Sequence, residues 1–258
     1  MKPTRPSIVL IGHGSSNDQA AETAVKEHAI TLRQSNRYGA VLCHFLASDE
    51  PVPDLPLGEV YLLPFFMSDG YFVKQKIPDI FGLQNGEAIS EDRQIYQCEA
   101  IGADPSLSQI FKNMADEICS TNSYKEEDVA VLIVAHGSTK SSASREAAVL
   151  QARQLTEQGS FLSVGTAFLE EEPSVAGWLK INELPDAPVI VLGMFAAEGP
   201  HAMSDVPEAI ALARTNDGSV SKTQADHLLY AGVVGTRPEM IRLIQESVGK
   251  RALLSSPV

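Results

Sequence analysis

Two short stretches of the sequence place a histidine, a glycine and a serine directly after an apolar run. One is VLIVAHGSTK, from Val131 to Lys140, and the other is IVLIGHGSSN, from Ile8 to Asn17. The apolar runs are typical of buried strands, and in open parallel sheets ligands bind beyond the carboxyl ends of the strands. His13 and His136 are therefore predicted to stand at such an edge, where the following glycine and serine expose backbone amides.

Two further side chains are predicted to reach the same edge as His136. Glu170 follows the apolar stretch TAFL, and His201 lies in EGPHAMSDVP, just after a strand expected to end at Phe195. Imidazole and carboxylate together suit Co²⁺, Fe²⁺, Ni²⁺ or Zn²⁺. With no fourth protein ligand in view, the site would keep open positions, as catalytic metal sites do. Histidine also titrates near neutrality, so the same groups could accept protons.

Each of these residues also has a plainer interpretation. A histidine after a strand is most often structural, and His201 has no histidine counterpart in the first half, where Phe72 takes its place. A run of three glutamates favours a solvated helix entrance, stabilised by the helix dipole. Glu170, Glu171 and Glu172 are all candidates for the carboxylate that faces a metal.

The strands and turns that must position these side chains occur twice along the sequence. The offset between matching positions grows from 123 residues (136 minus 13) to 133 residues (234 minus 101). Landmarks that recur in the same order with slowly growing offsets indicate an internal duplication. The matched pairs are His13 with His136, Phe45 with Phe168, Phe66 with Phe195, and Ile101 with Val234.

In both halves short apolar runs alternate with longer amphipathic ones, the pattern of parallel βαβ units with helices on both faces. The predicted strands are Ile8–Ile11, Val41–Leu46, Val60–Phe66, Ile95–Ile101, Val129–Ala135, Ser163–Leu169, Val189–Phe195 and Leu228–Val234. Helices are predicted over Ser142–Gln158 and Ser204–Thr215, and a polar joint over Cys119–Asp128. We therefore predict an α/β protein of two similar doubly wound domains with parallel sheets, residues 1–120 and 125–258, facing each other across a cleft.

The bulk composition argues against several classes of function. The 258 residues carry a formal net charge of −13, whereas nucleic-acid phosphates require a basic surface. No apolar run approaches the ~18–20 residues that span a bilayer, and MKPTRPS is too short for a secretory signal, so we expect a cytoplasmic protein. The three cysteines form no CxxC pair, so we expect reduced core thiols. The sequence predicts no particular oligomeric state.

Taken together, the motifs resemble those of the sirohydrochlorin chelatases, in the class II chelatase superfamily. The resemblance rests on HGS after the first strand of each half, AFLE followed by EPS after the second, and GPHAMSDVPE after the third, and it covers nearly the whole chain. It implies a lyase that inserts a divalent metal into a tetrapyrrole without ATP or an organic cofactor. By the same resemblance His136, Glu170 and His201 would be the catalytic and metal-binding residues, delivering the metal and removing the two pyrrole protons.

The first half departs from the family pattern. Ala47 stands where an acid is expected, Phe72 replaces the second histidine, and Lys76 replaces the aspartate that Asp205 supplies downstream. Only the second half is therefore predicted to hold a complete metal site. This asymmetry resembles the cobalt and protoporphyrin members of the superfamily.

The remaining polar groups of the two turns are predicted to bind the substrate. They are His13, Gly14, Ser15, Gly137 and Ser138, with the cations Lys74, Lys76 and Lys140 as further candidates. The predicted reaction is Co²⁺ insertion into sirohydrochlorin, as in cobalamin biosynthesis. The alternatives are Fe²⁺ insertion for sirohaem and a non-catalytic carrier of a tetrapyrrole or metal.

Overall fold

In a computed structural model, the chain forms two compact units, each built on its own sheet. The structure describes residues 5–14, 20–48, 50–182, 187–215 and 227–255. Unit 1 comprises Met1–Asp104 and Pro238–Val258, and unit 2 comprises Pro105–Arg237. The predicted α/β class with parallel sheets is confirmed.

The strands alternate with helices along the chain. The strands are β1 Ser7–Gly12, β2 Val41–Phe45, β3 Gly58–Pro64, β4 Glu87–Ile89, β5 Arg93–Gln97, β6 Ala130–Ala135, β7 Ser163–Phe168, β8 Val189–Gly193 and β9 Leu228–Val233. The helices are α1 Ala20–Gln34, α2 Ile77–Phe81, α3 Leu107–Asn122, α4 Ala143–Gln158, α5 Val175–Asn182, α6 Val206–Thr215 and α7 Met240–Ser255. Short π-helical turns occupy Phe72–Lys76 and His201–Asp205.

The two sheets share the order of their first three strands. In unit 1 the order is β2-β1-β3-β5-β4, with β4 antiparallel at the edge and the other pairs parallel. In unit 2 the order is β7-β6-β8-β9, and every pair is parallel. In both cases the first strand of the unit lies between the second and the third. The loops after these three strands therefore meet at one edge.

The first strand of each unit is buried along its whole length, which explains its unbroken apolar sequence. Every residue of β1 and of β6 is buried. Strands covered by helices on both faces have no solvent side, so they lose the alternation of polar and apolar residues. In unit 2 the side chains of Trp178, Leu179 and Ile210 pack against β6 and β8 from one face.

Two helices pack in the unit opposite to the half of the sequence that contains them. α3 carries its buried side, including Leu107 and Phe111, into unit 2, and Gln158 of α4 donates a 2.8 Å hydrogen bond to Ser108. α7 packs in unit 1, where Lys250 lies 2.7 Å from Asp104. The predicted domain bounds, 1–120 and 125–258, follow the sequence repeat and stay a prediction.

All eight predicted strands and both predicted helices are present, with bounds shifted by a few residues. The three-residue strand β4 was not predicted, and among the described helices only α4 and α6 had been given bounds from the sequence. The first four residues of the predicted joint belong to the end of α3. Cys98 and Cys119 are buried and Cys43 is half-buried, and all three are free thiols. Among the described helices, none combines the length and apolar character needed to cross a bilayer.

Candidate active site

The ends of β6 and β7 bring His136 and Glu170 together. The two strands pair in parallel with Ala135 opposite Phe168, so the residues that follow them are neighbours. The backbone N–H of Glu170 donates to the carbonyl of His136 at 2.9 Å. The Glu170 carboxylate oxygen Oε2 then lies 3.6 Å from Nδ1 of His136.

His201 reaches the same edge from the loop after β8. It begins the π-helical turn that leads into α6, and its ring centroid lies 4.5 Å from that of His136, at an interplanar angle of 86°. The ring of Phe195 stacks on the other side of His201, at 6.5 Å and 23°. The three predicted ligands, far apart in the sequence, are therefore brought close together.

The hydrogen bonds fix which nitrogen of each histidine is available. Nδ1 of His136 lies 3.0 Å from the carbonyl oxygen of Gly137, and Nδ1 of His201 lies 2.6 Å from Oδ2 of Asp205. A carbonyl or a carboxylate oxygen only accepts, so each Nδ1 carries the hydrogen and donates it. The Nε2 atom of each ring keeps its lone pair, which is the form that binds a metal or accepts a proton.

A cavity of about 460 Å³ adjoins the site. Its polar wall is formed by Glu170, His201, Asp205 and Glu208, and the remainder is largely apolar. The carboxylates give this side of the site a negative charge that would attract a divalent cation. Glu208, in the first turn of α6, is the last residue of the GPHAMSDVPE stretch but was not proposed as a site residue from the sequence.

Only one of the three consecutive glutamates lies beside the histidines. Glu170 has a side chain 56% exposed, whereas that of Glu171 is 13% exposed and pairs with Arg145 at 2.6 Å. Glu172 accepts a 2.9 Å hydrogen bond from the backbone N–H of Ser174, just before α5. Of the three glutamates, Glu170 is thus the one whose carboxylate lies beside His136.

The side chains of His136, Glu170 and His201 are neighbours, but they do not form a complete metal site as they stand. Across the described parts of the chain, no group of three or more His, Cys, Asp or Glu side chains is arranged to hold a metal ion as it stands. A common ion at His136, Glu170 and His201 would require rotation of these side chains, which are exposed to solvent by 39%, 56% and 50%.

Unit 1 repeats the geometry with different chemistry. The rings of His13 and Phe72 lie 4.8 Å apart at 86°, and Phe66 stacks on Phe72 at 6.0 Å and 19°. Phe72 begins the π-helical turn that ends at Lys76, as His201 begins the turn that ends at Asp205. The N–H of Ala47 donates to the carbonyl of His13 at 2.7 Å, as that of Glu170 does to His136.

The amides predicted to face the substrate in unit 2 are already hydrogen-bonded within the protein. The N–H of Gly137 donates to Oγ of Ser144 at 3.1 Å, and the N–H of Ser138 donates to Glu171 at 3.3 Å. The hydroxyl of Ser138 still has its hydrogen to donate. In unit 1, Gly14 has φ +71 and His13 is exposed, while Ser15 lies outside the described residues.

Comparisons with known proteins add to this geometry. The family model CbiX matches residues 7–118 and again residues 130–251. A probable sirohydrochlorin cobaltochelatase of Halobacterium salinarum is 27% identical over 257 residues, covering 90% of this chain and 87% of that protein.

Solved structures share the fold. A multi-domain Deinococcus radiodurans protein described as similar to chelatases superposes with a TM-score of 0.78 at 21% identity. The match covers 94% of this chain but 54% of that one, which is the longer protein with two additional domains. The sirohydrochlorin chelatase SirB of Bacillus subtilis gives a TM-score of 0.69 at 14% identity in its structure with cobalt, and 0.76 at 15% identity in its structure with Fe³⁺. Each of these matches covers 98% of this chain and 97% of the SirB chain.

Proposed function

The chain belongs to the CbiX family, and from this premise we propose that it is a metal chelatase that inserts Co²⁺ into sirohydrochlorin. The observation that carries the proposal is the pair His136 and His201. Their rings lie 4.5 Å apart, and their Nδ1 atoms are both engaged as donors, which leaves both Nε2 lone pairs for one cation. Glu170, beside His136, supplies the negative charge that a divalent ion requires.

The reaction replaces two pyrrole protons with one metal ion, so the site must both release a cation and accept protons. The Nε2 atoms of His136 and His201 hold the ion while it loses water. When His201 releases the ion, its Nε2 lone pair accepts one proton, and Glu170 accepts the other. Asp205 accepts the Nδ1–H of His201 and so stabilises the imidazolium that forms.

Substrate contacts are proposed for each unit by itself, at the edge where its HGS turn lies. The edge of Phe72 meets the His13 ring, and Lys74 and Lys76 are exposed on the same π-helical turn. An aromatic surface and nearby ammonium groups suit a flat macrocycle that carries carboxylates. The proposed contacts are the backbone of Gly14 and the hydroxyl of Ser138, because the amides of Gly137 and Ser138 are hydrogen-bonded within the protein. No organic cofactor is proposed.

The choice of Co²⁺ follows the function given to the Halobacterium relative. Fe²⁺ insertion for sirohaem is the second candidate, because the ligand set accepts either ion and SirB has been solved with both metals. Parallel rate measurements with Co²⁺ and Fe²⁺ under anaerobic conditions separate the two. Faster insertion of Fe²⁺ would replace the cobalt assignment without affecting the site.

The proposal is tested by measuring metal insertion from the absorbance change of sirohydrochlorin. His136→Ala and His201→Ala, prepared separately, should each lose most of the catalysed rate, and Glu170→Gln should be impaired. Glu157→Gln, on the exposed part of α4, is the control and should match the wild type. Wild-type rates in both histidine variants would contradict the assignment. Tight binding of sirohydrochlorin without any rate enhancement by the wild type would indicate a carrier instead.

A further inference from the structure

Glu171, in the loop after β7 that carries Glu170, is bonded both to the turn that begins with His136 and to Arg145 at the start of α4. We propose that Glu171 and Arg145 are positioning residues, which hold His136 and Glu170 at the distance needed to share a metal ion. This inference rests on the proposed function. It gives separate tasks to adjacent residues of the same type, with Glu170 facing the metal and Glu171 fixing the loops.

Glu171 bonds in two directions with its two carboxylate oxygens. Oε1 accepts the N–H of Ser138 at 3.3 Å, in the turn that begins with His136. Oε2 accepts from Nη2 of Arg145 at 2.6 Å. The backbone N–H of Glu170 already donates to the carbonyl of His136, so the two loops are joined at two successive residues. Rotation of one loop against the other would break both bonds.

Arg145 completes the connection from α4. The same Nη2 that meets Glu171 also donates to the backbone carbonyl of Glu172 at 2.6 Å, and the guanidinium carbon lies 4.9 Å from the centre of the Phe168 ring. Arg145 therefore contacts the end of β7 and the loop after it at three points. A planar guanidinium suits this combination of stacking and hydrogen bonding better than an ammonium group does.

The close approach depends on Gly137, the residue between His136 and Ser138. It has φ +77, and a methyl group added there would lie 2.8 Å from Cβ of Phe168, 2.8 Å from Cγ of Glu171 and 3.1 Å from Oε1 of Glu171. The absence of a side chain is what lets the Glu171 carboxylate lie against the turn. The glycine of the HGS motif thus serves the carboxylate contact as well as the shape of the turn.

Unit 1 provides an independent instance of the same device, built from other residues. Gly14 also has positive φ, and a methyl group added there would lie 3.4 Å from Oε1 of Glu22 on α1. Glu22 pairs with Lys26 at 2.7 Å, and the Lys26 ammonium lies 5.1 Å from the centre of the Phe45 ring. A carboxylate against the turn, and a cation over the aromatic ring that ends the second strand, therefore occur in both units. The turn itself requires this support, whichever element supplies it.

The test measures binding of Co²⁺ alone, by its visible absorption spectrum and by titration calorimetry. Removing the partner of a metal-binding histidine or its loop typically weakens metal affinity by about 10- to 100-fold. Glu171→Gln should weaken Co²⁺ binding within this range and alter the spectrum of the bound ion. The kcat for insertion should fall while the KM for sirohydrochlorin stays close to that of the wild type.

Further variants separate positioning from general destabilisation. Arg145→Met should weaken Co²⁺ binding by a similar factor. In the Glu171→Gln background it should cost less than it does alone, because the ion pair is already lost and only the contacts with Glu172 and Phe168 remain to be removed. Arg145→Lys keeps the charge and should recover part of the affinity. Glu157→Gln removes a carboxylate from the far end of α4 and should bind Co²⁺ like the wild type.

The outcomes distinguish this inference from the proposed function. If His136→Ala and His201→Ala lose Co²⁺ while Glu171→Gln keeps the wild-type affinity and spectrum, the positioning role is overturned and the metal site stands. If the two histidine variants bind Co²⁺ like the wild type, the proposed site itself is wrong. Should Glu171→Gln fail to fold, the comparison of Arg145→Lys with Arg145→Met decides, and equal wild-type affinity in both would overturn the inference.

Discussion

Restoring three side chains in unit 1 should create a second metal site. Phe72 and His13 already have the mutual orientation of His201 and His136, since both ring pairs meet at 86° with centroids 4.8 and 4.5 Å apart. The variant Ala47→Glu, Phe72→His, Lys76→Asp supplies the missing carboxylate, the second imidazole and the aspartate that would hold its Nδ1. No change in the backbone is needed.

The cost and the gain can both be estimated. Phe72 contacts the rings of His13, Phe66 and Tyr71, and an aromatic pair contributes about 0.5–1.5 kcal/mol beyond its burial. Because an imidazole keeps part of each contact, the free energy of unfolding should fall by roughly 1 kcal/mol without metal. A bound ion offsets this loss, because free Co²⁺ at about 100 times its Kd stabilises the folded state by about 2.7 kcal/mol. The variant should therefore be less stable than its parent without cobalt and more stable with it.

Calorimetric titration with Co²⁺ measures the result. The chain with the three changes should bind two ions where the wild type binds one. In a His136→Ala, His201→Ala background the number should rise from none to one, which assigns the new ion to unit 1. A folded triple variant that binds no additional cobalt would show that the shared ring geometry is insufficient to create a metal site. It would refute the inference drawn from comparing the two units.

Three other predictions follow from burial and backbone geometry. Gly137→Ala should lower the free energy of unfolding in urea by about 2 kcal/mol or more, because the strain of positive φ adds to the close contacts with Phe168 and Glu171. Gly232→Ala, with positive φ but open space, should cost about 1 kcal/mol, and equal losses in the two variants would contradict the role of these close contacts. Burial lowers the pKa of His44 in the folded state. The stabilising effect of the neutral ring is therefore complete above the pKa of the unfolded state, about 6.5, and is lost as the pH falls towards the folded pKa. Urea unfolding at successively lower pH should show the wild type losing stability relative to His44→Leu, and a difference in stability that does not change with pH would refute this. Burial raises the pKa of Cys98 to about 12, so iodoacetamide should modify it only on unfolding, and rapid labelling of the native protein would disprove this.

The parallel sheets were predictable because their signals are local. β1 and β6 are continuous apolar runs that end in HGS, and strands of this kind belong to sheets covered on both faces. The growing offset between the two halves also placed Phe72 opposite His201. The structure puts both residues first in a π-helical turn.

The tasks of the three glutamates could not be predicted, because composition and spacing treat them alike. Glu170, Glu171 and Glu172 are adjacent and identical. Only the backbone conformation after β7 makes their side chains point in different directions. Arg145, which selects Glu171, lies on α4 and has Glu22 at the matching place in the first half (145 minus 22 is 123, the offset of the histidines). The change from Glu22 in the first half to Arg145 in the second was the one sequence signal that Arg145 has an acidic partner. It does not show which of the three glutamates is that partner.

The unit in which α3 packs could not be predicted, for a related reason. An amphipathic sequence shows that one side of a helix is buried, but it does not show which sheet covers that side. The repeat favours grouping α3 with the strands before it, whereas the structure packs it in unit 2. The strand β4 has three residues, too few for an alternating pattern to emerge.

The position of α7 in unit 1 sets an order on synthesis. A ribosome that has finished β5 has made every described strand of the first sheet, yet α7, whose Met240, Leu243 and Ile244 are buried in that unit, is synthesised only after unit 2. Unit 2, by contrast, is continuous and complete once residue 237 has been added. A premature stop just after residue 237 would therefore damage unit 1, whose strands are made earlier, and would leave its uncovered sheet open to chaperones and proteases while unit 2 folds.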